Sequence, residues 1–253
     1  MNILSDTAAW LLPHKCDICG RVADVTADDI PGYKNIYGHI YGMQPQLHIC
    51  GKCLSQLNPV EGDLGWTLCL SNPYEGDPYP GLSLFAPFPY DDLCDVAIPK
   101  IKFEGKIELA RFFGVLLGRI VKEAGIGADL VVPVPLSPQR LKERGFNQAN
   151  EIALPVAYVL GVPVGQDVLI RTVNTGRQTE CKDNESRILN VKGAFEVLPE
   201  WDVEGLTIVL ADDVATTGAT LHEAASALLD KGAGKVLCLA FASNRTVKNK
   251  ETV

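Results

Sequence analysis

Leu206-Thr207-Ile208-Val209-Leu210-Ala211-Asp212-Asp213-Val214-Ala215-Thr216-Thr217-Gly218-Ala219-Thr220 reads as an apolar strand running into two carboxylates, then a small hydroxyl-rich loop, then a helix. A helix that starts near Ala219 turns its unpaired N–H groups and the positive end of its dipole toward the loop, which favours a phosphate there. Hydroxyls of Thr216, Thr217 and Thr220 add donors, and Gly218 lets the backbone come close. Asp212 and Asp213 stand at the carboxyl end of a strand, where open α/β sheets bind ligands, and are suited to accept hydrogen bonds from two sugar hydroxyls. The order suits a sugar phosphate. An isolated acid pair would equally fit a βα turn with two solvated carboxylates.

Around this stretch, strand and helix alternate. Ile107, Leu109, Phe112, Phe113, Leu116, Leu117, Ile120 and Val121 recur at a helical spacing with a wide buried face, and Gly125 and Gly127 end the run. A buried strand follows at 130–134, then a helix at about 147–160, short extended segments, a strand at 206–211, a helix at 219–231 and a last strand at 236–242. A parallel sheet with helices on both faces is the economical α/β architecture. Pro155 is expected to kink the 147–160 helix by removing a backbone bond.

Residues 1–90 read differently. They are rich in Gly, Pro, Asn, Asp and Tyr, with almost no sustained period, so loops and short strands are expected in place of a conventional core. The proline-rich stretch 72–89 reads as an extended connector, giving two units, 1–90 and 91–253. Cys16-Asp17-Ile18-Cys19 and Cys50-Gly51-Lys52-Cys53 form two Cys-x-x-Cys pairs, and four thiolates can close a tetrahedral structural zinc site. Such a metal would supply the stability that a loop-rich segment lacks. Disulfide or redox roles and unligated cysteines are the weaker readings, and His14, His39 and His48 lie near enough in sequence to be alternative ligands but read first as ordinary surface or packing histidines.

The chain has 253 residues, 47 % of them hydrophobic, which is enough for one large core and a smaller module. No apolar run reaches the length of a membrane span, about 20 residues. The first residues, with Asp6 and no basic start, do not read as a secretory signal, so a cytoplasmic location with reduced cysteines is expected. The net charge of −8 is uneven: residues 1–97 hold 4 Lys/Arg against 12 Asp/Glu, and residues 98–253 hold 19 of each. This excludes the global basic footprint of a sequence-tolerant nucleic-acid binder. It leaves a local cluster at Lys100, Lys102, Lys106, Arg111, Arg140, Lys142 and Arg144.

Two further segments suit an anionic ligand. Asp129–Gln148 carries a buried strand, the stiff Val134-Pro135-Leu136-Ser137 turn, and Arg140 and Arg144 ahead of a helix. Guanidinium forks match phosphate geometry. Arg171, Thr172, Gln178, Arg187 and Asn190 lie on a polar stretch suited to a mobile lid.

The Asp212–Thr220 stretch resembles the phosphoribosyl pyrophosphate (PRPP) loop of type I phosphoribosyltransferases. Nearly the whole chain resembles the ComF family, also called the GntX or competence-protein family, in which a cysteine-rich zinc module precedes a phosphoribosyltransferase-like domain. The resemblance is carried by the four cysteines, Phe88-Pro89-Tyr90, Lys102-Phe103-Glu104-Gly105, Val132-Pro133-Val134-Pro135, Arg144-Gly145-Phe146-Asn147-Gln148, Arg171 to Asn190 and Asp212 to Thr220.

It implies that Asp212 and Asp213 hold the ribose and, through water, help place Mg²⁺, while Ala215, Thr216, Thr217, Gly218, Ala219 and Thr220 bind the 5′-phosphate. Pro135, Leu136 and Ser137, with Arg140 and Arg144, would approach pyrophosphate, and Arg171, Gln178 and Arg187 would belong to the flexible loop. The ligand would be PRPP or ribose 5-phosphate. The family's link to natural competence implies DNA uptake or utilisation, with single-stranded DNA or DNA-uptake proteins as partners. Two classes of function stay open: a transferase acting on an unidentified acceptor, including a nucleotide-salvage enzyme, and an adaptor that uses the same fold to bind DNA or protein.

Overall fold

A computed structural model of the chain describes residues 13–57, 59, 67–71, 81–172 and 193–244, and the statements below concern these residues. In chain order they form β1 (Val25–Thr26), α1 (Tyr33–Tyr41), β2 (His48–Ile49), α2 (Gly51–Gln56), β3 (Thr67–Ser71), β4 (Gly81–Phe85) and β5 (Phe88–Pro89). Then follow α3 (Asp92–Glu104), α4 (Ile107–Glu123), β6 (Leu130–Pro133), α5 (Pro138–Arg144), α6 (Gln148–Leu160), β7 (Leu169–Arg171), β8 (Phe195–Val197), β9 (Thr207–Ala215), α7 (Ala219–Asp230) and β10 (Lys235–Ser243).

The central sheet has the order β3-β4-β10-β9-β6, with β5 continuing the β4 edge along the far end of β10. All its pairings are parallel except β3 with β4. Strands of such a sheet are buried on both faces, so their side chains divide by parity. Val209 and Ala211 of β9 and Leu239 and Phe241 of β10 join the core beneath α3, α4 and α6. Ile208, Leu210, Cys238 and Ala240 join a second core with α7 and the β7–β8 hairpin.

Two expectations from the sequence are corrected. The stretch 72–89 is not a connector throughout, because 81–85 and 88–89 are strands of the central sheet. Nor does the cysteine segment stand apart from a conventional core. Ile18, Tyr33, Tyr37, Leu47 and Ile49 are fully buried in the α3–α4–α6 core, and the Tyr33 ring meets Phe112 edge-on at 5.5 Å. The tyrosines supply apolar area that a Gly- and Asn-rich composition disguises. A buried polar network ties the same helices together. Arg111 Nε donates to Glu151 Oε2 at 2.7 Å and its Nη1 to the Tyr37 hydroxyl at 2.6 Å, and that hydroxyl donates to Glu108 Oε1 at 2.6 Å.

α4 and α6 pack at backbone contact. A Cβ on Gly114 would stand 2.7 Å from the Ile152 carbonyl oxygen and 3.0 Å from Pro155 Cγ. α6 is one element across Pro155, whose ring is buried against that face. No described helix is long and apolar enough to cross a membrane.

Candidate functional site

β9 runs through the acid pair, farther than the sequence implies, because β10 is equally long and pairs with it to Ala215. Gly218, at φ 79°, then turns the chain into α7. The bulk of a Cβ disfavours that left-handed conformation in other residues. Thr217 Oγ1 accepts from the Ala219 N–H at 3.4 Å, and the first turn of α7 faces the cavity.

That cavity, about 360 Å³, is where the predicted residues meet. Asp212, Asp213 and the whole run Ala215–Thr220 line it, together with Pro135, Leu136, Arg140, Arg144 and Arg171. Ser137 does not line it: the residue is buried, and its hydroxyl caps α5 by accepting from the Arg140 N–H at 3.4 Å. Gln178 and Arg187 lie outside the described residues. Asn147 fixes the approach of the basic loop, since its Nδ2 donates to the Val134 carbonyl at 3.0 Å while its Oδ1 caps α6.

Lys102, Phe103, Tyr90 and Gln148 also line the cavity, and the sequence reading assigned them no place in the site. Lys102 Nζ lies 2.7 Å from Asp213 Oδ2, and Gln148 Nε2 donates to Asp213 Oδ1 at 3.4 Å. Arg144 in turn donates to Gln148 Oε1. The signal was present. Asp91 accepts from the N–H groups of Leu93 and Cys94, Gly105 ends the helix at φ 68°, and Leu93, Cys94, Ala97, Ile98 and Ile101 recur at helical spacing. Those cap and period cues identify α3 despite Pro99.

The two acids differ electrically. Burial, reinforced by the neighbouring Asp213 charge, holds the Asp212 carboxyl well above the usual range. Burial also opposes ionisation of Asp213, but the Lys102 ammonium and hydrogen bonds from Lys102, Asp212 and Gln148 outweigh it and keep this carboxyl low. The pair therefore ionises unequally, Asp213 the more readily, and Asp213 faces Lys102. Arg140, Arg144 and Arg171 add cationic lining, so the cavity favours an anion with a polyol portion.

Of the expected basic cluster, Arg111 and Lys106 serve internal ion pairs, with Glu108 and Glu151 and with Asp17 respectively, and Lys102 serves Asp213. Lys100, Arg140 and Lys142 remain as the surface cluster, with Arg144 half-buried beside them and committed to Gln148.

The four cysteine sulfurs Cys16, Cys19, Cys50 and Cys53 lie within 4.8 Å of one another, with Cys19 and Cys50 3.6 Å apart. A tetrahedral site with metal–sulfur bonds of about 2.3 Å needs sulfurs about 3.8 Å apart, so the set fits one metal ion. Burial opposes ionisation of the Cys19 thiol, but the Arg21 backbone N–H and the other three thiols together outweigh it and bring this thiol down to about 6. His14 and His48 stack at 3.9 Å, and His39 Nδ1 faces the Asn35 carbonyl, so none of these histidines joins the group.

A directly bound magnesium fits the acid pair poorly. Asp213 Oδ1 accepts from Gln148, Asp212 Oδ1 accepts the Asp213 N–H at 2.8 Å, and a divalent ion at Asp213 Oδ2 would stand against the Lys102 ammonium that lies 2.7 Å from it.

Comparison with known proteins places these features. A phosphoribosyl transferase domain matches residues 144–252. The DNA utilization protein YhgH of Salmonella typhi is 31 % identical over 226 residues, 87 % of this chain and 86 % of that protein. Competence protein ComFC of Bacillus subtilis is 36 % identical over 146 residues, 57 % of each chain. Among solved structures, the glutamine PRPP amidotransferase of B. subtilis, complexed with ADP and GMP, matches 52 % of this chain and 26 % of its own. That match has 22 % identity and a TM-score of 0.36.

Proposed function

The chain belongs to the ComF family, and on that footing we propose that it binds PRPP in the cavity at the end of β9 and serves DNA uptake or utilisation in the cytoplasm. The observation that carries the reading is the convergence of Asp212, Asp213, the Ala215–Thr220 turn and three arginines on one cavity of about 360 Å³. In this reading the carboxyls accept from the ribose hydroxyls, and the Thr216–Thr220 turn with the α7 N-terminus holds the 5′-phosphate. Arg140, Arg144 and Arg171 face the pyrophosphate with the magnesium that it carries. Loss of pyrophosphate from the anomeric carbon needs no covalent nucleophile from the protein. Holding the sugar in place and neutralising the departing charge are what these residues offer.

The four cysteines hold zinc in this proposal, as a structural ion that fixes the cysteine-bearing segment against the core it shares with the central sheet. The names of the relatives in Salmonella and Bacillus support the link to DNA.

Titration calorimetry with PRPP and magnesium tests the reading. Binding is expected for the native protein, and Asp212→Asn with Asp213→Asn should weaken it at least about tenfold, the scale of losing two hydrogen bonds to a charged group. Absence of binding, or equal binding by a folded double variant, overturns it.

A further inference from the structure

Two helices bring their ends to the acid pair. Lys102, in the last turn of α3, keeps its side chain 25 % exposed toward the cavity while its ammonium contacts Asp213 Oδ2 at 2.7 Å. Gln148, in the first turn of α6, addresses the other oxygen at 3.4 Å, and Arg144 steadies Gln148. Asp213 is thus matched in charge by an ion pair on one oxygen and held by a hydrogen bond on the other, both from protein groups.

Adding a divalent ion to the same carboxylate would place like charges a few ångströms apart in a site that water screens weakly. Magnesium also demands near-regular octahedral oxygen geometry, which a lysine in the shell disrupts.

We propose that Lys102 is the resident counter-cation of the acid pair, so that the ribose end of a sugar phosphate binds here without a divalent ion. This rests on the ribose-phosphate reading of the cavity. Any dependence of PRPP binding on magnesium then belongs to the pyrophosphate and the arginines that face it.

Ribose 5-phosphate, which has no pyrophosphate, separates the two contributions. Calorimetry is run on the zinc-loaded full chain in buffer freed of magnesium over a chelating resin, and again with magnesium added. The native protein is expected to bind equally in both, within about twofold, and Lys102→Arg should behave the same way because it keeps a fixed cation. Lys102→Met should bind at least about tenfold more weakly without magnesium, having lost a buried charge partner, and should recover when magnesium is added. Zinc content and the thermal transition show that each variant is folded. A native protein that binds only with magnesium, or a folded Lys102→Met that binds like the native protein without it, overturns the inference. A native protein that binds ribose 5-phosphate in neither buffer but still binds PRPP overturns it too. Binding of neither ligand instead removes the ribose-phosphate reading on which it stands.

Discussion

Phe103 is 76 % exposed, the highest value among the large apolar side chains described, yet it lines the ligand cavity with the Arg144 guanidinium 6.0 Å from its ring. An aromatic ring left in water beside cations offers a face on which a base can stack. Lys100, Arg140 and Lys142 extend the cationic surface around it. Phe103→Ala is therefore expected to weaken single-stranded DNA binding about tenfold without changing its salt dependence, since stacking contributes about 1–3 kcal/mol per base. Lys142→Ala should instead lower the slope of log affinity against log salt by about 0.7. Fluorescence anisotropy with a labelled oligonucleotide across several salt concentrations distinguishes the two. A Phe103→Ala protein with native affinity would remove the stacking surface from the proposal. At this scale the sequence was legible where chemistry is contiguous, as in Asp212–Thr220. Lys102 and Gln148 lie more than 60 residues from the acid they contact, and no local pattern records that meeting.

The elements themselves were legible wherever periodicity is clean. Helices expected at 107–122, 147–160 and 219–231 and strands at 130–134, 206–211 and 236–242 stand within a few residues of those bounds. Periodicity failed for α1, where Gly and Asn interrupt the pattern and tertiary burial of Tyr33 and Tyr37 decides the outcome, whereas α3 keeps its period and caps and was passed over because of Pro99. Pro155 is also explained only by packing, because its ring fills the close approach of α4 to α6 at Gly114. Alanine at Gly114 would favour the helix by about 1 kcal/mol through propensity, but its Cβ would meet backbone atoms of Ile152 that cannot swing aside. The clash should win. Gly114→Ala is expected to lose about 1–3 kcal/mol in urea unfolding, and native or greater stability would contradict the contact.

At the scale of the whole molecule, the cysteine cluster and the sheet share one core, so loss of the proposed zinc should be felt throughout. About one equivalent of zinc is expected per chain, and Cys50→Ser should retain less than half. Its melting temperature should fall by roughly 5 °C or more in a single transition, because a chain of this size moves about 2–4 °C per kcal/mol. Metal analysis with differential scanning calorimetry checks both, and full zinc with unchanged melting would sink the assignment. Gly105 turns the chain between Lys102, which grips Asp213 in the sheet, and Lys106, which reaches Asp17 at 2.8 Å between the cysteines of the first pair. The five-residue span 102–106 is a tie rod of fixed length with one anchor at the sheet and one at the cysteine cluster. A residue inserted at 103–105 would leave every cysteine and the whole Ala215–Thr220 turn in place, yet pull one of the two anchors out of reach.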